Sequence, residues 1–180
     1  IKSYNKGNWW VQDFSSFLPL SLVNIKYINK KNLDVCSAPG GKSFQVLSRN
    51  KEIVLNDISK KRIKLLKTNL KRLNFKSEII NDNFLYFKES KKYDFIILDA
   101  PCSAIGTIRK NPEIFFKEIE PNFNKLVSLQ KNMLDKAALI LNDGGIILYM
   151  VCSFLKKETY DQIENFLLKN YNFSVDKINT

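Results

Sequence analysis

The 180-residue sequence predicts an α/β fold, built as a mostly parallel sheet with helices on both faces. Short apolar segments alternate with longer helical ones, at a spacing that requires crossover connections. Residues 93–98 and 146–151 are nearly continuous apolar runs, typical of parallel strands that are buried on both faces. Turn residues separate these segments, and the chain shows no internal repeat or low-complexity stretch. These observations favour a single catalytic or binding domain.

The elements follow in order along the chain. The predicted strands span residues 31–36, 52–56, 78–80, 93–98 and 146–151, and a last strand begins at residues 173–175. Helices are predicted at residues 15–23, 42–49, 123–141 and 156–169, with residues 142–145 (NDGG) ending the third. A further helix follows Ser59 as its cap, with Ile63, Leu66, Leu70 and Leu73 at helical spacing. We divide the chain into a preceding segment, residues 1–30, and a core, residues 31–180.

Composition excludes several classes of chemistry. The sequence contains no histidine, which removes histidine as a general base and as a ligand of zinc or haem. Its three cysteines, Cys36, Cys102 and Cys152, form no CxxC pair, so we expect no metal site. Sparse cysteines and the lack of any apolar run near the roughly 20 residues that span a bilayer predict a cytoplasmic protein. Because the first residue is Ile1, we expect the chain to be cut from a longer protein.

The formal net charge is +11, and much of the excess lies between residues 60 and 92. This surface is either a solvated helix face or one that attracts phosphate groups, and charge alone does not separate nucleic acid from an anionic membrane. Its basic residues are Lys60, Lys61, Arg62, Lys64, Lys67, Lys71, Arg72, Lys76, Lys88, Lys91 and Lys92.

Ligands bind at the carboxyl ends of the strands in such a sheet, so the residues there carry most of the functional information. The first strand ends in Cys36-Ser37-Ala38-Pro39-Gly40-Gly41-Lys42-Ser43, a turn that brings backbone N–H groups close to a ligand. The turn lacks the first glycine of a P-loop, which excludes that motif. Asp57 and Asp82 end the next two strands, where acids accept ribose hydroxyls or an adenine amino group. The glycine turn and these acids together predict an adenosine-containing ligand, either a dinucleotide or S-adenosylmethionine.

Two cysteines come just after apolar strands, Cys102 in the Asp99-Ala100-Pro101-Cys102 segment and Cys152 after residues 146–151. A lone cysteine there is usually a small core residue, but neighbouring strands would bring both thiols to one cleft. Two thiols and an acid fit either a disulfide oxidoreductase or addition to a pyrimidine. In the second case, a thiolate adds to carbon 6 of cytosine and makes carbon 5 nucleophilic enough to accept a methyl group, and a second thiolate removes the proton.

The sequence resembles the RsmB/Sun branch of the RNA 5-methylcytosine methyltransferases, which also includes the Nop2 proteins. The most specific match is DAPCSAIGTIRKNPEI, residues 99–114. The glycine turn, Asp57-Ile58-Ser59, Asn81-Asp82, residues 149–153 (YMVCS) and residues 11–16 (VQDFSS) also match, in the family's order. The family has alanine at the position of Ser37 and threonine at that of Val151. Its closing strands and N-terminal RNA-binding domain have no counterpart here, so we expect the core to be incomplete at its C-terminus.

The resemblance implies a Rossmann-like class I methyltransferase that transfers a methyl group from S-adenosylmethionine to carbon 5 of a cytosine in RNA. It implies Cys152 as the nucleophile, Cys102 in product release and Asp99 beside both cytosine and cofactor. The second cysteine favours RNA over DNA, with 16S ribosomal RNA first and transfer RNA second. The implied cofactor-binding residues are Cys36, Ser37, Ala38, Pro39, Gly40, Gly41, Lys42, Asp57, Asp82 and Asp99. We expect a monomer.

Two other hypotheses remain open at this point. A degenerate RNA-binding relative without activity is disfavoured by the presence of Cys102, Cys152 and Asp99 together. An unrelated nucleotide-binding oxidoreductase leaves both cysteine motifs unexplained.

Overall fold

The sheet has five parallel strands. The computed structural model describes residues 2–28, 31–87, 90, 92–116 and 121–176, with the backbone alone for residue 115. The strands are β1 (Asn32–Val35), β2 (Val54–Asn56), β3 (Ile79–Ile80), β4 (Tyr93–Asp99) and β5 (Leu141–Met150). The predicted parallel α/β architecture is therefore confirmed.

Six α-helices connect or flank the strands in the described part of the chain. They are α1 (Lys2–Asn5), α2 (Phe14–Ser21), α3 (Gly41–Leu47), α4 (Lys60–Leu73), α5 (Phe123–Leu139) and α6 (Tyr160–Leu167). Helix α4 begins as predicted, because Ser59 Oγ accepts a hydrogen bond from the Arg62 N–H, and the four apolar residues predicted at helical spacing are buried. None of the helices in these ranges is long and apolar enough to cross a membrane.

The strand order, β3-β2-β1-β4-β5, places β1 between β2 and β4. The chain leaves β1 towards β2 on one side, whereas it leaves β4 towards β5 on the other side. The loops that follow β1 and β4 therefore diverge, and a crevice opens between them. Open α/β sheets bind their ligands at such a switch point, at the carboxyl ends of the strands.

The core lies on both faces of the sheet. Phe95, Ile96, Ile97 and Leu98 of β4 are all fully buried, and alternate side chains of a strand point to opposite faces. Ile96 and Leu98 pack in one cluster with residues of α5, namely Met133, Leu134 and Ala137. Phe95 and Ile97 pack in the other cluster with residues of α2, α3 and α4, including Leu20, Phe44 and Leu66. This two-sided burial fixes the carboxyl ends of β1 and β4 beside each other.

The junction between α5 and β5 differs from the prediction. The helix ends at Leu139 rather than at Leu141, and β5 begins at Leu141 instead of Ile146. Tyr93 pairs with Leu141, but Phe95 pairs with Ile146, so the residues between form an irregular bulge. Gly144 has φ +74°, a backbone conformation that glycine adopts without steric cost. The NDGG segment is thus part of the strand, and regular pairing resumes where the sequence predicts the strand to begin.

Two predictions for the C-terminal part are wrong. The predicted helix over residues 156–169 is divided into a 3-10 turn, Lys156–Glu158, and α6, because Thr159 has non-helical backbone angles. Residues 173–175 form no strand. The Phe173 N–H instead bonds to the Asn170 carbonyl, and its ring packs against Phe166 at 5.1 Å between centroids.

The segment before the sheet contains the predicted helix of residues 15–23, observed as α2, and a short helix that the sequence did not predict, α1. Leu20 of α2 is fully buried in the same cluster as Phe44 of α3. The division at residue 30 stays a prediction, and residues 1, 29, 30 and 177–180 lie outside the described ranges.

Candidate active site

The loop after β1, residues 36–41, forms one wall of the crevice and is called the glycine loop here. Cys36 has φ +63° and Gly40 has φ +116°, so the chain reverses sharply before α3 begins. A Cβ atom at Gly40 would overlap the ring of Phe44, and one at Gly41 would lie 3.3 Å from the Gln12 side chain. Gly40 is therefore required by its positive φ and by the lack of space, whereas a side chain at Gly41 would need only a small shift of Gln12.

Asp57, at the end of β2, supports the glycine loop from below. Its Oδ2 accepts the Ala38 N–H at 3.1 Å and lies 3.5 Å from Arg62, and its Oδ1 accepts the Ser59 N–H at 2.8 Å. The residue is only 1% exposed, and Arg62 also donates to the Ala38 carbonyl. Asp57 and Arg62 together hold the loop in place. The sequence does not indicate this contact with the loop.

Two buried polar atoms beneath the loop have no hydrogen-bond partner among the described residues, Ser37 Oγ and Asp34 Oδ1. The other oxygen of Asp34 accepts a hydrogen bond from Ser43 Oγ at 2.5 Å. Burial raises the pKa of Asp34 to about 7. Both residues line a cavity of about 360 Å³ together with Cys36, Ala38, Pro39, Gly41 and Lys42. Unsatisfied polar groups next to a cavity of this size fit a polar ligand such as S-adenosylmethionine.

A second, larger cavity of about 1280 Å³ lies on the other side of the crevice. We call the first the cofactor cavity and the second the catalytic cavity. They meet at the ion pair between Lys42 Nζ and Asp99 Oδ2, which are 2.6 Å apart. Asp13, which also lines both cavities, forms an ion pair with Lys110. Asp99 therefore lines both cavities, and its place beside cytosine and cofactor stays a prediction.

Three predicted cofactor-binding residues, Gly40, Asp57 and Asp82, do not line the cofactor cavity, and Asp82 also lacks a contact with the glycine loop among the described hydrogen bonds. It ends β3 on the same edge of the sheet, but its side chain is exposed and accepts the N–H of Asn83 at 2.8 Å. It does not line the cofactor cavity as described. Its contact with adenine stays a prediction.

The two predicted catalytic thiols are in contact. Because β4 and β5 are neighbours, the loops that follow them bring Cys102 Sγ within 3.2 Å of Cys152 Sγ. Cys152 is exposed and lines the catalytic cavity, whereas Cys102 is half-buried behind it. The N–H of Gly106 donates to the Cys152 carbonyl at 3.0 Å, and a Cβ at Gly106 would lie 3.1 Å from that oxygen.

The three thiols differ in acidity. The hydrogen bond from Cys102 lowers the pKa of Cys152 from 9.0 to about 7, with a smaller contribution from the Lys42 charge. The same bond, followed by burial, raises the pKa of Cys102. Burial raises the pKa of Cys36 to about 12, so this thiol stays protonated. Cys152 is therefore the more acidic thiol of the pair and is about half ionised at neutral pH, and Cys102 is the donor whenever Cys152 is a thiolate.

Sequence reasoning missed a buried acid beneath the thiols. Glu158 is fully buried and accepts hydrogen bonds from Ser103, which follows Cys102 in the chain, and from Gln130 of α5. A signal was available, because Glu158, Gln162 and Phe166 recur every four residues, along the buried side of the predicted helix. A polar residue on such a stripe indicates a buried polar contact.

The basic residues of α4 are exposed for the most part. Lys60, Lys61, Lys64, Lys67 and Lys71 face solvent. Arg72 is partly buried, since its guanidinium lies 3.8 Å from the ring centroid of Tyr4 and donates to the carbonyl oxygens of Tyr4 and Trp9. Lys88 and Lys91 of the predicted basic surface lie outside the described residues.

The fold and the two cavities define a class of protein. A parallel sheet of this order, with a glycine loop after β1 and acids at the following strand ends, is the Rossmann-like fold of class I S-adenosylmethionine-dependent methyltransferases. Solved structures agree: the protein PH0851 superposes with a TM-score of 0.84 at 32% identity, over 94% of this chain and 40% of that one. NSun6 from Pyrococcus horikoshii, solved with SFG, gives 0.80 at 25% identity, over 94% and 44%.

Within this class the family is also clear. The 16S rRNA methyltransferase RsmB/F family matches residues 23–180, and the chain belongs to it. Ribosomal RNA small subunit methyltransferase B of Photorhabdus laumondii is 38% identical over 94% of this chain. The chain spans 41% of that relative's length. Membership confirms the predicted resemblance and overturns the hypothesis of an unrelated oxidoreductase.

Proposed function

We propose that this chain transfers a methyl group to carbon 5 of a cytosine in RNA, with 16S ribosomal RNA as the substrate, through a covalent bond between Cys152 and the base. Its family supports an RNA methyltransferase. The observation that carries the finer proposal is the 3.2 Å contact between a thiolate and a thiol at the edge of the catalytic cavity. Methyl transfer to a nitrogen or a hydroxyl needs no such pair.

The cofactor cavity holds S-adenosylmethionine, which supplies an electrophilic methyl group when bound. The glycine loop and Lys42 line this cavity, and Asp99 borders it. Asp57 fixes the loop through Ala38, and Arg62 must share that carboxylate with any ribose hydroxyl that approaches it. The methyl group is used at the Lys42–Asp99 boundary, where both cavities meet.

Cys152 begins the reaction by adding to carbon 6 of the cytosine. Its pKa of about 7 keeps roughly half of the thiol as thiolate at neutral pH, without a histidine base. The electron pair of sulfur forms the bond to carbon 6, and the ring electrons move to make carbon 5 nucleophilic. The addition puts negative charge on the ring, which is neutralised when N3 of the amidine edge takes up a proton from solvent; this proton returns to solvent when Cys152 leaves. Asp99, held by Lys42, accepts hydrogen bonds from the N–H groups of that edge.

Cys102 completes the reaction. Once the Cys152 sulfur is bonded to carbon, it no longer accepts the hydrogen bond that raises the pKa of Cys102. Cys102 then releases its proton to solvent and takes the proton from the methylated carbon 5. The ring double bond re-forms, Cys152 leaves as a thiolate, and Cys102 again donates to it. The resting pair is regenerated, and the net products are methylated cytosine, S-adenosylhomocysteine and one proton.

The target cytosine must leave its stack to reach Cys152, because a paired base does not expose carbon 6 to a thiol. The catalytic cavity, at about 1280 Å³, has room for an extruded nucleotide. Lys42, Arg109 and Lys110 line it and match the charge of a phosphate backbone.

Trapping the covalent intermediate tests this function. The purified protein, Cys102→Ala, Cys152→Ala and the double variant are each mixed with S-adenosylmethionine and 16S ribosomal RNA, then run on a denaturing gel. We expect a slowly migrating protein–RNA adduct in Cys102→Ala, because product release needs that thiol, and none in the two variants without Cys152. The Photorhabdus relative is the positive control, and transfer RNA in place of ribosomal RNA tests the second substrate.

Each outcome assigns a role. An adduct in Cys152→Ala but not in Cys102→Ala would reverse the roles of the two thiols. If only transfer RNA is labelled, transfer RNA takes the place of ribosomal RNA as the proposed substrate. Absence of methyl transfer and adduct with both RNAs, while the positive control labels its RNA, would leave a non-catalytic RNA-binding relative as the better description.

A further inference from the structure

The loops that carry the two thiols are tied together by one buried carboxylate. Glu158 Oε1 accepts the Ser103 N–H at 2.9 Å and Gln130 Nε2 at 3.0 Å, and its Oε2 accepts Ser103 Oγ at 2.5 Å. Ser103 Oγ lies 3.2 Å from Ser153 Oγ. Since Ser103 follows Cys102 and Ser153 follows Cys152, the network reaches the residue next to each thiol.

Further contacts fix Glu158 itself. Its backbone carbonyl accepts the Tyr149 hydroxyl at 2.8 Å, and Gln130 also donates to the Pro101 carbonyl at 2.9 Å. These bonds link β5, α5 and both thiol loops in one network. Such connectivity gives the carboxylate a single position.

The charge of Glu158 is balanced in an unusual way. The residue is fully buried, and no basic side chain of the described residues forms an ion pair with it. Burial opposes its ionisation, but hydrogen bonds from Ser103, Ser153 and Gln130 outweigh that effect and lower its pKa. An apolar residue would avoid the desolvation cost altogether. What an apolar residue does not supply is an acceptor that orients Ser103 through two bonds at once.

We propose that Glu158 is a positioning residue for the thiol pair: it holds the Cys102 and Cys152 loops so that the two sulfur atoms stay in contact. The inference rests on the proposed role of the pair in methyl transfer. Without the carboxylate, Ser103 loses both acceptors and the Cys102 loop moves relative to Cys152. Cys102 then no longer donates to the Cys152 sulfur, which is the main cause of the acidity of Cys152.

The pH dependence of Cys152 alkylation tests this without RNA or cofactor. The protein is treated with iodoacetamide across pH 5.5 to 10, and the modified peptide that contains Cys152 is followed by mass spectrometry. We compare Glu158→Gln, which keeps the shape but presents an amide N–H₂ to Ser103, with Asp161→Asn. Asp161 lies three residues further on and pairs with Lys156 at the surface.

The expected midpoint for the unaltered protein and for Asp161→Asn is near pH 7. For Glu158→Gln we expect it to move up by about one unit or more, towards the ordinary cysteine value. In methylation assays kcat falls by about 10- to 100-fold with the KM for RNA unchanged, since the substrate surface is intact. A folded Glu158→Gln protein with an unshifted alkylation midpoint would overturn the proposal.

A second variant covers the case in which Glu158→Gln does not fold, which thermal melting reveals. Ser103→Ala removes one of the two donors and leaves the backbone N–H, so we expect a smaller shift in the same direction. An unshifted midpoint in Ser103→Ala as well as unfolding of Glu158→Gln would make Glu158 a stability residue only. A shifted midpoint in a protein that labels no RNA would keep the positioning role and remove the proposed function.

Discussion

The glycine loop and the thiol loops lie on opposite sides of the same crevice, but different kinds of contact hold them. The glycine loop is held by Asp57 after β2 and by Arg62 and Asn69 of α4, which lie 19 to 30 positions from the loop residues they bond. The thiol loops are held by Glu158 and Gln130, which come from the 3-10 turn before α6 and from α5. One side is held by the strand and helix that follow it in the chain, whereas the other joins elements up to 55 positions apart.

This difference separates two tasks. The cofactor cavity recognises a ligand by shape and polar groups, so a loop fixed by its neighbours is sufficient. The thiol pair depends on a distance between two sulfur atoms from different loops, and only a group that reaches both loops sets that distance. The Lys42–Asp99 ion pair belongs to both sides, since each of its residues lines both cavities.

The largest expected effect comes from a substitution that weakens the cofactor side alone. Asp57→Ala leaves the buried Ala38 N–H without its acceptor, at a cost of about 1–3 kcal/mol, so we expect affinity for S-adenosylmethionine to fall by about 5- to 150-fold. The midpoint of Cys152 alkylation should stay near pH 7. Calorimetric titration measures the affinity, with Asp143→Ala, an exposed acid in the β5 bulge, as the control. A moved thiol midpoint would show that the two sides are not independent.

A smaller effect is expected from the contact that the two sides share. Asp99 raises the pKa of Cys152 and Lys42 lowers it, although the hydrogen bond from Cys102 is the larger cause. Asp99→Asn should therefore shift the alkylation midpoint downwards and Lys42→Met should shift it upwards, each by about half a unit to one unit. Shifts of the same sign in both variants would contradict a direct charge effect on the thiolate.

The last effect concerns the pH dependence of stability around Asp34 and leaves both sides of the crevice chemically unchanged. Burial raises the pKa of Asp34 from 3.8 to about 7. The contribution of this residue to the free energy of unfolding is therefore fully present below pH 3.8 and is lost as the pH rises through 7. The loss is at most about 4 kcal/mol. Asp34→Asn cannot ionise, so its free energy of unfolding in urea should fall less than that of the unaltered protein between pH 4.5 and 7.5. If the unfolding free energies of the two proteins change in parallel with pH, ionisation of Asp34 does not destabilise the folded state.

Much of the fold follows from patterns that the sequence displays. The apolar runs of β4 and β5, the cap at Ser59 and the glycine turn each have a local physical cause, and their positions are confirmed. The errors arise where tertiary contacts decide. Phe173 lies in a β-prone segment, but packing against Phe166 holds it in a turn instead of a strand.

The same limit applies to the site. The neighbouring positions of Cys102 and Cys152 follow from strand order, and their contact confirms the expectation of a single cleft. Glu158 gave only a weak signal because its partners lie 28 and 55 positions away, at Gln130 and Ser103. Asp57 was predicted as a ribose acceptor, a role that stays a prediction, whereas its contact with Ala38 depends on loop geometry that no pattern reveals.

Gly106 shows how little variation the thiol side tolerates. Its backbone angles are open to any residue, since it is not among the glycines with positive φ. A single added methyl group would nevertheless press on the Cys152 carbonyl, which accepts the N–H of the same residue. In a natural variant of this chain, replacement of Gly106 by alanine would keep the fold but slow the reaction at Cys152. A survey of such variants that reads only buried hydrophobic positions would overlook it.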